Sequence, residues 1–405
     1  MTSFILQTNE FESIIIEKAQ GTWIWDVDGK AYLDGESGMW CCNLGHNHPK
    51  MIQALKNQAE LIIHRNKNFL TPITLESAKK LLDFVPNDFD RVTFLNSGSE
   101  AMEFAINFAK KATGRTKVLT LLDSYIGAFG SAKDLSFTST KDLELKVPYP
   151  KCNTGECEHL EKYTSVVDRE FEKHSADLAC FVLEPVMVSG GVFKSCSKLI
   201  KYICEKIQDI GGLIVIDEVT TGFGRTGFKF GYELFNIIPD IVVLGKALGN
   251  GYPVSAVITN SELESKISKS ELYYAQSHQL DPLGAAVVSS VIDIFNGEQI
   301  LENAKEKIIE LRSFVKALSY PFIKETRSFG MIFAIQIQSY RNISSKDLIL
   351  QIKDALIEEG VIIGFNLARE FIRILPPLNI SDKEISYFKE KIVSVLDSIK
   401  EIVLQ

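Results

Sequence analysis

A chain of 405 residues, 45% hydrophobic and 24% charged, has the balance of a globular protein long enough for two or three structural units. Its formal net charge of −8, with no basic stripe interleaved with aromatics, excludes a nucleic-acid footprint. The opening MTSFILQTNEFESIIIEK lacks the basic, apolar and small-residue regions of a secretory signal, and the uncharged run 247–261 is too short and too broken by Gly and Pro to cross a bilayer, so a cytoplasmic protein with no membrane partner is expected.

In chain order, TWIWDV and AYLDG read as two strands joined by the turn DGK. From residue 49 the texture changes. MIQALKNQAELIIH has a helical period, and six apolar runs follow: RVTFLNSG, KVLTLLDS, LACFVLEP, GLIVIDEV, IVVLGK and VSAVITN. Helical segments such as SEAMEFAINFAKKAT and CSKLIKYICEKIQDIG lie between several of them. Continuous apolar strands alternating with helices predict an α/β fold with a mainly parallel central sheet covered on both faces. After about residue 290, charged amphipathic helices (EQILENAKEKIIELRSFVKAL, SKDLILQIKDALIEEG) and the strands GMIFAIQIQ and FIRILP predict a smaller α+β unit. The division expected is a large domain over 49–290 and a small one built from 1–48 and 291–405.

The seven cysteines, an odd number, fall at 41, 42, 152, 157, 180, 196 and 204. Cys180, inside LACFVLEP, reads as core filler. Cys152, Cys157 and His159 in KCNTGECEH have zinc-like spacing but no fourth ligand, and His46 and His48 in LGHNHP read as a turn before Pro49; no metal is expected.

Ligands of open parallel sheets collect beyond the carboxyl ends of the strands, so the polar residues there carry the chemistry. NSGSEAMEFA leaves a strand, turns through Ser97-Gly98-Ser99 and enters a helix whose unpaired N–H groups suit a phosphate. Ser99, four residues before Glu103, also has N-cap character. LIVIDEV puts Asp217 at the tip of an apolar strand, where a carboxylate needs a cationic or hydrogen-bonding partner. A nucleotide-linked magnesium ligand is excluded because no G-x-x-x-x-G-K-[ST] occurs. IVVLGKALGNGYP ends the next strand in Lys246, whose ammonium is costly to bury unless its charge is lost or used. A phosphate cradle, a carboxylate and a desolvated lysine on neighbouring strand ends share one explanation in pyridoxal 5′-phosphate: the lysine forms a Schiff base, the acid faces the ring nitrogen and the helix start holds the phosphate.

LDGESGMWCCNLGHNHP, FLNSGSEAMEFAINFAKKATGR, EPVMVSGGV, VIDEVTTGFGRTG, DIVVLGKALGNGYPVSAV and IRILPPLNIS together resemble the class III (ornithine/ω-amino acid type) aminotransferases, over about residues 20–400. The resemblance implies the fold-type I architecture of pyridoxal-phosphate enzymes and a homodimer with active sites at the subunit interface. It implies Lys246 as the Schiff-base lysine and Asp217 as the partner of the pyridine nitrogen. Gly98 and Ser99 match the phosphate loop, Tyr125 the aromatic stacked on one ring face, and Val219 the aliphatic residue on the other. Glu184 corresponds to a residue of the ring-side polar network, and Ser277 to a hydroxyl residue reaching the phosphate from the other subunit. Arg373 matches the arginine that grips a substrate carboxylate, and Trp40 an aromatic of the substrate pocket.

Several positions depart from the family pattern. Ile126 follows Tyr125 where a histidine is frequent, Thr220 replaces a glutamine, and SHQLDP replaces T-x-x-G-N-P. EPVMVSGG puts Ser189 where a glutamate often neutralises the arginine, so Arg373 is expected to remain available. The implied reaction moves an amino group from an amine or amino acid donor to an oxo-acid acceptor, with the freed Lys246 amine as the base. Racemase, aminomutase or phospho-lyase chemistry on the same framework, and a non-catalytic cofactor-binding role, are the alternatives.

Overall fold

The computed structural model of the chain describes residues 4–6, 8, 11–140, 145–151 and 159–404. Cys152 and Cys157 lie outside the described residues.

The large sheet has seven strands in the order Arg91–Leu95, Ser255–Thr259, Ile241–Leu244, Leu213–Asp217, Leu178–Leu183, Lys117–Leu121, Leu145–Val147. All run in one direction except Ser255–Thr259, which is antiparallel to both of its neighbours. Side chains of the inner strands alternate between two separate cores. Ile214, Ile216, Val242 and Leu244 enter one, and Val215, Ile241 and Val243 the other. Both faces are therefore dry, which is why these strands are apolar at every position rather than at every second one.

The helix Gly98–Thr113 covers one face through Ala101, Met102, Ala105 and Ile106. Ser97 is its N-cap, accepting the Glu100 N–H at 3.2 Å, and Gly114 ends it in a left-handed conformation with φ +67°. The cap is thus Ser97 and not Ser99, whose hydroxyl instead accepts the Ala128 N–H at 3.0 Å. On the opposite face, the apolar helix Pro282–Gly297 packs against the helices Pro49–Leu61 and Pro72–Phe84. All three begin with Pro, whose fixed φ suits the first helical turn.

Two smaller sheets complete the fold. Ile16–Gln20, Trp23–Asp26 and Ala31–Asp34 form an antiparallel meander, extended by Val361–Ile362 parallel to the last of them. Ile323–Ser328, Phe333–Ile337, Phe371–Ile374 and Gly364–Asn366 form an antiparallel sheet in that order. The N-terminal strands are thereby joined to C-terminal ones by backbone hydrogen bonds such as Leu33 N–H to Gly360 O at 2.8 Å.

Arg225 pins this assembly to the large sheet. Fully buried, it donates to the carbonyls of Met331 (3.3 Å) and Pro376 (2.6 Å), to the Ser37 hydroxyl (3.0 Å) and to the Asn43 side-chain oxygen. Burial pushes its guanidinium down to about 9, because these acceptors are neutral.

Candidate active site

Parallel strands deliver their carboxyl ends to one edge, so Glu184 after Leu178–Leu183, Asp217 at the end of Leu213–Asp217 and Lys246 after Ile241–Leu244 are neighbours by construction. Lys246 sits in a left-handed conformation, φ +44°, which is strained for a residue with a side chain and re-aims it at the strand end. Its Nζ donates to Thr220 Oγ1 at 2.6 Å and lies 4.5 Å from the centre of the Trp40 ring. Burial drives the ammonium pKa down, against the attraction of Asp217 and Glu184. The balance is thereby shifted toward the neutral amine relative to an exposed lysine.

Asp217 is 5% exposed and accepts the Val219 N–H at 3.0 Å. Among the described residues it has no ion-pair partner, and burial pushes its carboxyl up to about 6. Glu184 is buried too, and desolvation followed by repulsion from Asp217 raises its carboxyl. Its two oxygens accept the N–H groups of Tyr125 (3.0 Å) and Val188 (3.3 Å), which fastens the Tyr125 loop beside the strand end. Ile126, the departure next to Tyr125, is 2% exposed and belongs to the core under the helix Gly98–Thr113.

The helix start faces Val219. A Cβ on Gly98 would stand 2.8 Å from Val219 Cγ1, so only glycine admits this approach. The first-turn N–H groups of Gly98 and Ser99 have no intrahelical acceptor. These residues fit pyridoxal phosphate: a helix start open to a phosphate, a buried carboxylate lacking a cation, and a lysine whose charge is disfavoured.

Trp40 and its neighbours come from the end of the strand Ala31–Asp34. Ser37, Gly38, Met39 and Trp40 all have positive φ, between +45° and +69°, making a left-handed turn. Such a conformation costs about 1–2 kcal/mol for each residue carrying a side chain, so it persists only where the surroundings fix it. Asp34 does so: its carboxylate accepts the N–H groups of Glu36 (2.8 Å) and Gly38 (2.6 Å) and bonds His46 Nε2 at 2.8 Å. Ser37 is held further by Leu375 O and Arg225. His46 is therefore a turn residue, and His48 bonds Glu298 at 3.3 Å.

Arg373 lies under Trp40, its guanidinium carbon 4.4 Å from the indole centre. It is not free, contrary to the expectation drawn from Ser189. Its Nε donates to Glu36 Oε1 at 2.8 Å, with the two side chains 8% and 13% exposed. Glu36 is the residue that sequence reasoning missed, because its partner is 337 positions away and no spacing links an acid in a turn to that strand. Ser277 is not brought to the group: it is exposed, on a segment anchored to the edge strand by Leu280 N–H to Phe94 O at 2.9 Å.

A mainly parallel sheet with a lysine, two carboxylates and an open helix start on its carboxyl edge is the fold-type I architecture of pyridoxal-phosphate enzymes. A solved (S)-enantioselective ω-transaminase of Thermomicrobium roseum superposes with a TM-score of 0.88 at 25% identity, covering 98% of this chain and 96% of that one. An uncharacterized aminotransferase of Schizosaccharomyces pombe is 30% identical over 98% of this chain and 92% of its own. The acetylornithine aminotransferase of Bacillus subtilis is 31% identical over 95% of each chain. Residues 6–396 match the family model described as aminotransferase class-III. The chain belongs to the class-III aminotransferases, enzymes that transfer amino groups with pyridoxal 5′-phosphate.

Proposed function

We propose that Lys246 anchors the cofactor and moves the substrate proton, at a site where an amine or amino acid donor and an oxo-acid acceptor bind in turn between Lys246 and Arg373. When bound, pyridoxal phosphate supplies an aldehyde that condenses with amines and a protonated ring that accepts the electrons left by a departing proton. The neutral Lys246 Nζ takes a proton from the substrate carbon and returns it on the other side of the transfer. Thr220 Oγ1 holds that nitrogen in place between the two events. Asp217 would hold the pyridine nitrogen of the bound cofactor protonated, and would itself be ionised in that pair. Gly98 and Ser99 bind the phosphate, Tyr125 and Val219 cover the ring faces, and Glu184 positions Tyr125. Trp40 lies within 4.5 Å of both Lys246 Nζ and the Arg373 guanidinium, so a substrate spanning the two would lie along its indole. The observation that carries the reading is the half-buried Lys246 amine with two buried carboxylates on one sheet edge.

The test is a donor screen on the protein loaded with pyridoxal phosphate. An effective amine is expected to bleach the visible absorbance once per site while releasing one equivalent of carbonyl product, and an oxo acid to restore it. Bleaching without carbonyl product, or carbonyl product that no oxo acid reverses, would count against transfer.

We also propose a homodimer, a cytoplasmic location, and a small domain made of 1–48 and 291–405 beside a large one over 49–290. No helix among the described residues is long and apolar enough to cross a membrane. Leu61, Ile63, Phe69 and Leu70 are exposed on a segment whose Lys67 lies over Tyr273 and whose His64 ring sits 4.7 Å from that of His278, beside Ser277. An apolar face of this kind suits a second copy, which would carry Ser277 toward its partner's phosphate. Sedimentation at micromolar concentration is expected to give twice the chain mass; a monomer that still turns over would rule the shared site out.

A further inference from the structure

We infer that His64, His278 and Asp281 form a binding site for a divalent cation of the zinc class, and that the ion fastens the stretch around His64 to the stretch carrying Ser277. The inference does not depend on the amino-transfer reading.

The three side chains come from two stretches that no spacing links, His64 and Asp281 being 217 positions apart. His64 Nδ1 bonds Asp281 Oδ1 at 2.7 Å, and His278 Nδ1 bonds the other oxygen, Oδ2. The ligand atoms all lie within 4.8 Å of one another, and among the described residues no other group of three or more His, Cys, Asp or Glu side chains is so placed. Two imidazole nitrogens and a carboxylate oxygen suit a zinc-class ion, whereas calcium and magnesium prefer oxygen throughout. The His64 and His278 side chains are 44% and 59% exposed, so water can reach the remaining position of a four-coordinate ion.

The backbone behind the ligands is fixed. Asp281 directly precedes the helix Pro282–Gly297, yet its carboxylate makes no cap hydrogen bond and turns to the two rings instead. Leu280 has φ +59°, a left-handed conformation that is costly for a residue with a side chain. It is held from three directions. Its N–H donates to Phe94 O at 2.9 Å, and its carbonyl accepts from Thr74 Oγ1 at 3.3 Å and from Arg65 at 3.4 Å. Arg65, next to His64 and 5% exposed, also donates to Gln279 O at 2.6 Å. The two stretches are thus tied together under all three ligands before any ion arrives, which lowers the ordering cost of binding.

Without an ion, each Nδ1 carries the proton that it donates to Asp281. When a divalent ion enters, each ring carries its proton on Nε2 instead and offers the Nδ1 lone pair to the metal. Neither Nε2 makes a hydrogen bond among the described residues, so nothing opposes that shift. Two neutral rings therefore bind the ion with no net release of protons, and Asp281 offsets one of its two charges. Ligands about 2.1 Å from a tetrahedral ion stand about 3.4 Å apart. The His64–Asp281 contact of 2.7 Å must then open by about 0.7 Å, a small swing for exposed rings.

Calorimetric titration with zinc of the pyridoxal-phosphate-loaded protein, stripped with EDTA and dialysed, is expected to give one ion per chain with a Kd of about 10 µM or tighter. His64→Gln and His278→Gln should each weaken binding about a hundredfold or more. Both variants should melt near wild type in EDTA, and saturating zinc should raise the melting temperature of wild type alone. The seven cysteines offer competing thiols, so cobalt(II) is the second probe. Wild type should give the visible bands of nitrogen and oxygen ligation and no thiolate charge-transfer band. No saturable zinc binding, an affinity unchanged in either variant, or a thiolate band from cobalt would overturn the inference and leave amino transfer untouched. Failure of the donor screen, conversely, would leave this site standing.

Discussion

Lys246→Ala is expected to lower transamination by about 10⁴-fold or more, since it removes both the nucleophile and the proton carrier. The fold should survive, because the side chain makes a single hydrogen bond, to Thr220 Oγ1. Lys246→Arg separates chemistry from charge. It places a permanent cation over the Trp40 ring, but a guanidinium stays protonated at neutral pH and cannot act as a base. Single-turnover measurements with an effective amine should find both variants inactive with near-native circular dichroism. Activity of Lys246→Arg within tenfold of wild type would mean that the site needs only a positive charge there.

Asp217→Asn has the second largest expected effect, about 10²–10³-fold in kcat, the scale of removing one preorganised electrostatic group. Its effect on stability runs the other way. In the cofactor-free chain, burial raises the Asp217 carboxyl from 3.8 to about 6, so the folded state binds this proton more tightly than the unfolded one. The group's stabilising contribution is full below its unfolded value and is lost as pH rises through about 6. Urea unfolding of the apo-protein should therefore show Asp217→Asn gaining on wild type between about pH 4 and about pH 8. A constant difference across that range would mean that Asp217 is paired or solvated in a way the buried strand end does not provide.

The large sheet is legible in the sequence because a strand buried on both faces must be apolar at every position. IVVLGK and LIVIDEV announce themselves by ending such runs in a charge. The same pattern puts Asp217, Glu184 and Lys246 on one edge before any coordinate is known. Short elements leave no such trace. Leu145–Val147 and Val361–Ile362 have three and two residues, below any period, and are strands only because a neighbouring edge accepts their hydrogen bonds. The antiparallel direction of Ser255–Thr259 is equally invisible in its composition.

Long-range electrostatics are the other blind spot. Ser97 and Ser99 both look like helix caps, and only the backbone geometry gives the role to Ser97. Arg373 reads as open because the loop at Ser189 carries no acid, yet Glu36 reaches it from a left-handed turn held by Asp34. The hint lies in two separate places, an acid at Glu36 and a glycine at Gly364, and only strand pairing shows that they occupy the same space.

The central claim is a covalent one and is tested most directly by borohydride reduction of the protein loaded with pyridoxal phosphate, followed by peptide mapping. One pyridoxyl group per chain, on the peptide containing Lys246, is the predicted result. A label on another lysine, or none on a protein that still transfers amino groups, would contradict it.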